Sequence, residues 1–140
     1  MPKEPITFER HLSYVLEAAH RSVSNSLATR LKAHGIQVTA WRVMECLDGN
    51  ERLTMGELAR RALLNPPALS KLVDRMVSEG LVHRQISSVD QRQVNLMLTN
   101  LGRRRMLQIR QDAEDQDHAL MELLESENGE TLRRLLSKLA

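Results

Sequence analysis

The segment "TMGELARRALLNPPALSKLVDRMVSEG", residues 54–80, carries two short helices and the turn between them. Thr54 and Glu57 stand in capping-box register, where the hydroxyl accepts from the Glu57 amide and the carboxylate reaches back to the Thr54 amide. The helix they start turns Met55, Leu58, Ala59 and Ala62 inward. After the tight turn "LLN", Asn65 caps a second helix, and Pro66 occupies a position where a missing N–H costs nothing. Leu69, Leu72, Val73, Met76 and Val77 form one face of that helix, and Gly80 ends it. The other face shows Ala68, Ser70, Lys71, Asp74 and Arg75. A short helix, a three- to four-residue turn and a second helix with a polar, partly basic face make helix-turn-helix geometry, although ordinary packed helix pairs share it. Pro67, Ala68 and Ser70 are small enough to let the second helix approach a DNA groove, while Lys71 and Arg75 reach base edges or phosphates.

Downstream, the period changes. "LVHRQI" reads as a strand, and Val94, Leu96 and Leu98 alternate with Asn95 and Met97 in the manner of its half-buried antiparallel partner. The tip between them, Ser87 to Gln93, is polar and holds Asp90 and Arg92. A helix-turn-helix followed at once by a hairpin is a winged helix. In that arrangement the second helix enters the major groove and the tip reaches the flanking minor groove, whose narrow A·T-rich form attracts an inserted arginine. Arg92 is the candidate, with Asp90 placed to pair with it and order the tip. An ordinary exposed ion pair, worth less than ~1 kcal/mol, is the alternative role for these two.

Helices flank this unit on both sides. Thr7 is expected to cap a first helix in which Leu12, Val15, Leu16, Ala19, Val23, Leu27 and Leu31 recur at spacings of three and four, ended at His34-Gly35. Thr39 is expected to cap a second, carrying Val43, Met44 and Leu47 and stopping at Asp48-Gly49-Asn50. Thr99 caps a long helix from Asn100 to Leu124, whose first turns hold Arg103, Arg104 and Arg105. Cations there oppose the helix dipole, which suggests that they serve another charge such as phosphate, unless they are simply a solvated run. A break at "ESENGE" precedes a final short helix marked by Leu132, Leu135, Leu136 and Leu139.

Composition limits the alternatives. The 140 residues suffice for one domain with a modest core, and 41% hydrophobic with 27% charged residues fit a folded chain. At 2% aromatic content the core must be built from Leu, Val, Ala and Met, which suits helix packing. No run approaches the ~18 apolar residues of a membrane span, and "MPKEPITFER" lacks an apolar signal core, so a cytoplasmic protein is expected. The net charge of +2 conceals a basic centre: residues 52–105 hold 10 basic and 4 acidic side chains, while residues 106–140 hold 4 and 8. Such a centre suggests a localised polyanion-binding surface. Cys46 is the only cysteine, which excludes an internal disulfide, and its apolar neighbours indicate a buried, inert thiol. Glycine-rich phosphate loops and nucleophile elbows are missing, and an enzyme is not expected.

Asp90-x-Arg92, Leu98-Thr99 and Gly102 reproduce "DxRxxxxxLTxxG", and with "MGELARRALLNPPALSKLVDRMVSEGLVHR" ahead of it the chain resembles the MarR-type transcriptional regulators along nearly its whole length. The resemblance implies a mostly α protein with a small β-hairpin wing (α+β). It would be a single domain, with residues 36–99 a winged helix-turn-helix DNA-binding region and residues 1–35 and 100–140 dimerisation helices. It implies a cytoplasmic homodimer that binds a pseudo-palindromic operator in double-stranded DNA, usually as a repressor relieved by a small molecule. Pro67, Ala68, Ser70, Lys71 and Arg75 would then lie in or beside the major groove. Arg92 would enter the minor groove braced by Asp90, and Ser87 and Ser88 would bond phosphates. Asn65-Pro66-Pro67 departs from the commoner family pattern, and the double proline should shorten or stiffen the first turn of the recognition helix.

The resemblance further implies an effector cleft between the dimerisation helices and the winged region. His11, Ser24, Trp41 and Arg42 are its candidate lining, each with a structural role as the alternative, and Arg42 could pair with the carboxylate of a small aromatic or anionic ligand. No cofactor and no metal are expected, because the five histidines are scattered, although His11 and His118 could meet at a dimer interface. A winged helix used for protein contacts alone and a metal-responsive regulator remain the other readings. The first of these predicts no steep salt dependence of DNA binding.

Overall fold

A computed structural model describes residues 4–49, 53–85 and 95–140. The long N-terminal helix α1 (Leu12–Lys32) starts later than expected. Thr7 instead precedes a single 3-10 turn, Phe8–Arg10, and His11, with extended backbone, is the residue before α1. The end is as read: Gly35 turns the chain at φ 68°, a conformation a side chain would strain. Helix α2 (Val38–Asp48), by contrast, begins ahead of its expected cap, with Gln37 in the cap position and Thr39 inside the first turn. Burial explains this shift. Ile36 and Ala40 are both in the core, and burying an isoleucine outweighs the ~1 kcal/mol of a side-chain cap. Val43 and Met44 are fully buried, and Cys46 is buried beside them.

The caps of the next elements fall at the expected residues, although the Glu57 carboxylate takes the Thr54 hydroxyl in place of the expected main-chain amide. In α3 (Met55–Arg61) the Thr54 hydroxyl accepts from the Glu57 amide at 3.1 Å and donates to the Glu57 carboxylate at 3.2 Å. Leu58, Ala59 and Ala62 are buried, and Leu63 turns the chain in a left-handed conformation at φ 59°. In α4 (Pro66–Ser78) Leu69, Leu72, Val73 and Met76 are buried, and the helix closes at Gly80 with φ 77°. The double proline does not shorten it: thirteen residues are helical, and the Asn65 side chain accepts from the Ala68 amide at 2.8 Å.

Two short strands, β1 (Val82–Arg84) and β2 (Leu96–Leu98), pair antiparallel with Val82 opposite Leu98 and Arg84 opposite Leu96. Leu96 and Leu98 are half-buried while Met97 is exposed, as the alternation required. Thr99 then ends the wing and starts α5 (Asn100–Leu124). Its hydroxyl donates to the Gly80 carbonyl at 2.6 Å and accepts from the Gly102 amide at 3.0 Å. Met106 and Ile109 carry α5 into the core, and buried Gln116 is satisfied by the Val23 carbonyl at 3.0 Å. The chain reverses at Glu125 into α6 (Ser126–Ser137), where Gly129 lies flat against Met121.

The core therefore lies in the middle of the chain, between α2, α3, α4, β1 and the first half of α5. The two ends contribute little to it. Within α1 only Leu31 is buried, and Leu12 is 72%, Leu123 79% and Leu139 68% exposed.

Candidate nucleic-acid interface

The start of α4 has no unsatisfied main-chain donor in its first three residues. Pro66 and Pro67 carry no N–H, the Ala68 amide is taken by Asn65, and the Leu69 amide already bonds the Asn65 carbonyl at 3.0 Å. Whatever this end of the helix touches, it touches with side chains. Pro67, Ser70, Lys71, Asp74 and Arg75 are exposed and Ala68 is half-buried, so the expected residues share one face, three and four positions apart. Arg75 also borders a cavity of about 210 Å³ against Gly35, Ile36 and Gln37 at the start of α2.

Beside α4 runs the base of the wing. Ser70, Val73 and Asp74 of the helix face Arg84, Gln85, Asn95 and Leu96 across a cleft of about 340 Å³. Arg84 Nη2 donates to Asp74 Oδ1 at 2.6 Å, and the Gln85 amide donates to the Asn95 carbonyl at 2.9 Å. Ser87, Ser88, Asp90 and Arg92 lie outside the described residues. The contact between Asp74 and Arg84 was not foreseen from the sequence. Ten residues separate the partners, and no local spacing rule connects a helix to the strand after it.

The arginines at the start of α5 differ in their surroundings. Arg103 Nη1 pairs with Asp48 Oδ1 at 2.5 Å, and Arg105 donates to the His34 carbonyl at 3.4 Å, so both have partners within the protein. Arg104 is exposed. Further along, Arg110 grips Glu45 with two bonds of 2.8 and 2.9 Å and reaches Asp48 at 3.2 Å. The hydrogen bonds to Glu45, more than the weaker one to Asp48, hold the Arg110 guanidinium even more firmly protonated than usual. Trp41 Nε1 donates to the same Glu45 carboxylate at 3.2 Å. These charges tie α2 to α5 on the flank of the winged region.

The candidate ligand residues divide between two cavities. Ser24 and Arg42 line one of about 580 Å³ between α1 and α2, together with His20, Asn25, Lys32 and Gln37. Trp41 lines another of about 650 Å³, with Glu45, Arg110, Gln116 and His118. His11, ahead of α1, lines neither. Lys32 and His20 were missed, although the four-residue spacing of His20 and Ser24, which bond at 3.2 Å, was a readable sign.

A helix-turn-helix whose second helix presents a polar face, followed by a two-stranded hairpin, defines the chain as a winged-helix protein. Residues 34–93 match the MarR family. The HTH-type transcriptional regulator FarR of Neisseria gonorrhoeae is 34% identical over 100 residues, covering 71% of this chain and 68% of that protein. Across three such relatives the matched part spans between 51% and 68% of their length. Among solved structures, the transcriptional repressor CouR bound to a 23-mer DNA duplex superposes with a TM-score of 0.84 at 25% identity, over 98% of this chain and 99% of that one. NadR in complex with 4-hydroxyphenylacetate superposes with a TM-score of 0.76 at 28% identity, over 99% and 97%. The chain belongs to the MarR family of transcriptional regulators.

Proposed function

We propose that this chain is a cytoplasmic, homodimeric repressor that binds a pseudo-palindromic operator and leaves it when a small aromatic or anionic effector binds. It has no catalytic role. The observation that carries this reading is the exposed stripe of α4, Pro67, Ser70, Lys71 and Arg75, displayed on a helix whose start is closed to main-chain contacts. Residues 36–99 are the DNA-binding region. In it α4 lies in the major groove, Ser87 and Ser88 bond phosphates, and Arg92, braced by Asp90, enters the minor groove.

Residues 1–35 and 100–140 form the dimer. Leu12, Val15 and Leu16 on one end and Leu123, Leu135 and Leu139 on the other are exposed in the single chain. A soluble protein that exposes many large apolar side chains on its end helices covers them with a partner, and a twofold partner presents two recognition helices to the two halves of an operator.

The effector belongs in the cavity between α1 and α2, where Arg42, Lys32 and His20 supply cationic or donor groups and Leu27, Ile36 and Val38 an apolar floor. A carboxylate on Arg42 with a ring against that floor satisfies both. Gly35, Ile36 and Gln37 line this cavity and also the contact with Arg75 and Met76 of α4. A ligand that moves this shared wall moves the recognition helix.

Genome-wide footprinting of the protein tests the reading. The expected result is protection of two half-sites about 10 base pairs apart, or a multiple of that, upstream of regulated genes. A protein that associates with no DNA, and whose deletion leaves transcription unchanged, would overturn it in favour of a winged helix used for protein contacts.

A further inference from the structure

Asp74 is the one acidic side chain in α4, and it stands one turn beyond Ser70 and Lys71 on the stripe proposed to face DNA. A carboxylate there should repel phosphate. Its partner is Arg84, the last residue of β1, which donates from Nη2 to Asp74 Oδ1 at 2.6 Å. The two side chains remain 57% and 70% exposed, so the pair contributes little to folding. The strand does not need it either, because Leu81 and Val82 are buried and the ladder to β2 holds β1 in place.

What the pair does fix is the direction of a guanidinium. Arginine presents five N–H donors in a rigid fork suited to phosphate, and its free side chain has many rotamers to lose on binding. Arg84 sits where the recognition helix meets the base of the wing, on the cleft shared with Ser70, Gln85 and Asn95. A duplex held by α4 in one groove and by the hairpin in the next must carry its sugar-phosphate backbone past this cleft. We propose that Asp74 is a positioning residue that aims Arg84 at a backbone phosphate between the two grooves, so that an acidic side chain on the recognition helix strengthens DNA binding. The inference rests on the DNA-binding reading above.

Phosphate contacts are independent of base sequence, so the operator is not required for the test. The full chain is titrated by fluorescence anisotropy against a short mixed-sequence duplex, at salt concentrations from about 50 to 200 mM. Arg84→Ala is expected to weaken binding several-fold and to reduce the log–log salt slope by about 0.9 per protomer. Asp74→Ala is expected to weaken it several-fold as well, although it removes a negative charge from the DNA face. Asp74→Asn, which keeps the acceptor, should restore binding, and Asp74→Ala combined with Arg84→Ala should bind no worse than Arg84→Ala alone. Tighter or unchanged binding by Asp74→Ala, or an unmoved slope in Arg84→Ala, would overturn the inference while leaving the DNA-binding reading intact. Wild-type protein with no salt-dependent affinity for the duplex would overturn both.

Discussion

Gly102 lies so close to Leu81 that a Cβ on it would stand 2.0 Å from the Leu81 carbonyl oxygen. The obstacle is backbone, not a flexible side chain, and the same carbonyl accepts from the Thr99 amide at 3.1 Å. The first turn of α5 is thereby pressed onto the chain entering the wing, which gives Leu98-Thr99-x-x-Gly102 a physical reason. Gly102→Ala is expected to destabilise the fold by about 3 kcal/mol, the upper end for overpacking. Urea denaturation at equilibrium measures it, and a loss below about 1 kcal/mol would show that the contact relaxes cheaply.

The bond pattern around Arg110 makes a different prediction. Glu45 and Asp48 are each about three-quarters buried, at 28% and 26% exposure, and Arg110 touches both. Arg110→Ala leaves two partly buried carboxylates without this partner and should cost about 2 kcal/mol. Glu45→Ala in the same background should cost less than it does alone, because it removes a charge already stranded. A double-mutant cycle in thermal unfolding reads that coupling, and strict additivity would contradict it.

Arg92→Ala is expected to weaken operator binding by about tenfold or more while leaving the circular-dichroism spectrum native. The loss should be greatest on operators whose flanks are A·T-rich, where the minor groove is narrow. An unchanged mobility-shift titration with a folded variant would remove the minor-groove role.

Leu135→Asp together with Leu139→Asp tests the dimer. These side chains are 47% and 68% exposed in the single chain, so the change costs the protomer fold little. The wild type is expected to scatter light as a dimer at micromolar concentration and the variant as a monomer. A wild-type monomer would contradict the assignment of the end helices.

Much of the winged region was readable because its signals are local. Thr54, Asn65 and Thr99 each accept from the amide three residues on, a bond decided within one turn of chain. The apolar faces of α3 and α4 followed from spacing alone. The start of α2 did not, since the burial of Ile36 and Ala40 overrode the capping preference of Thr39, and α1 begins at Leu12, beyond the turn that Thr7 precedes.

Local chemistry thus settled the order of elements, the caps of α3, α4 and α5, the hairpin period and the residues on the outer face of α4. Tertiary packing alone decided how the charges are used. Arg103 is 55 residues from Asp48, Arg110 is 65 from Glu45, and Arg84 reaches back to Asp74 across an element boundary. Packing likewise set Ser24 and Arg42 on one cavity and Trp41 on another. A hydrogen bond three residues long is written in the spacing of a sequence. The partner of a long, flexible cation is chosen by which helices the core brings together.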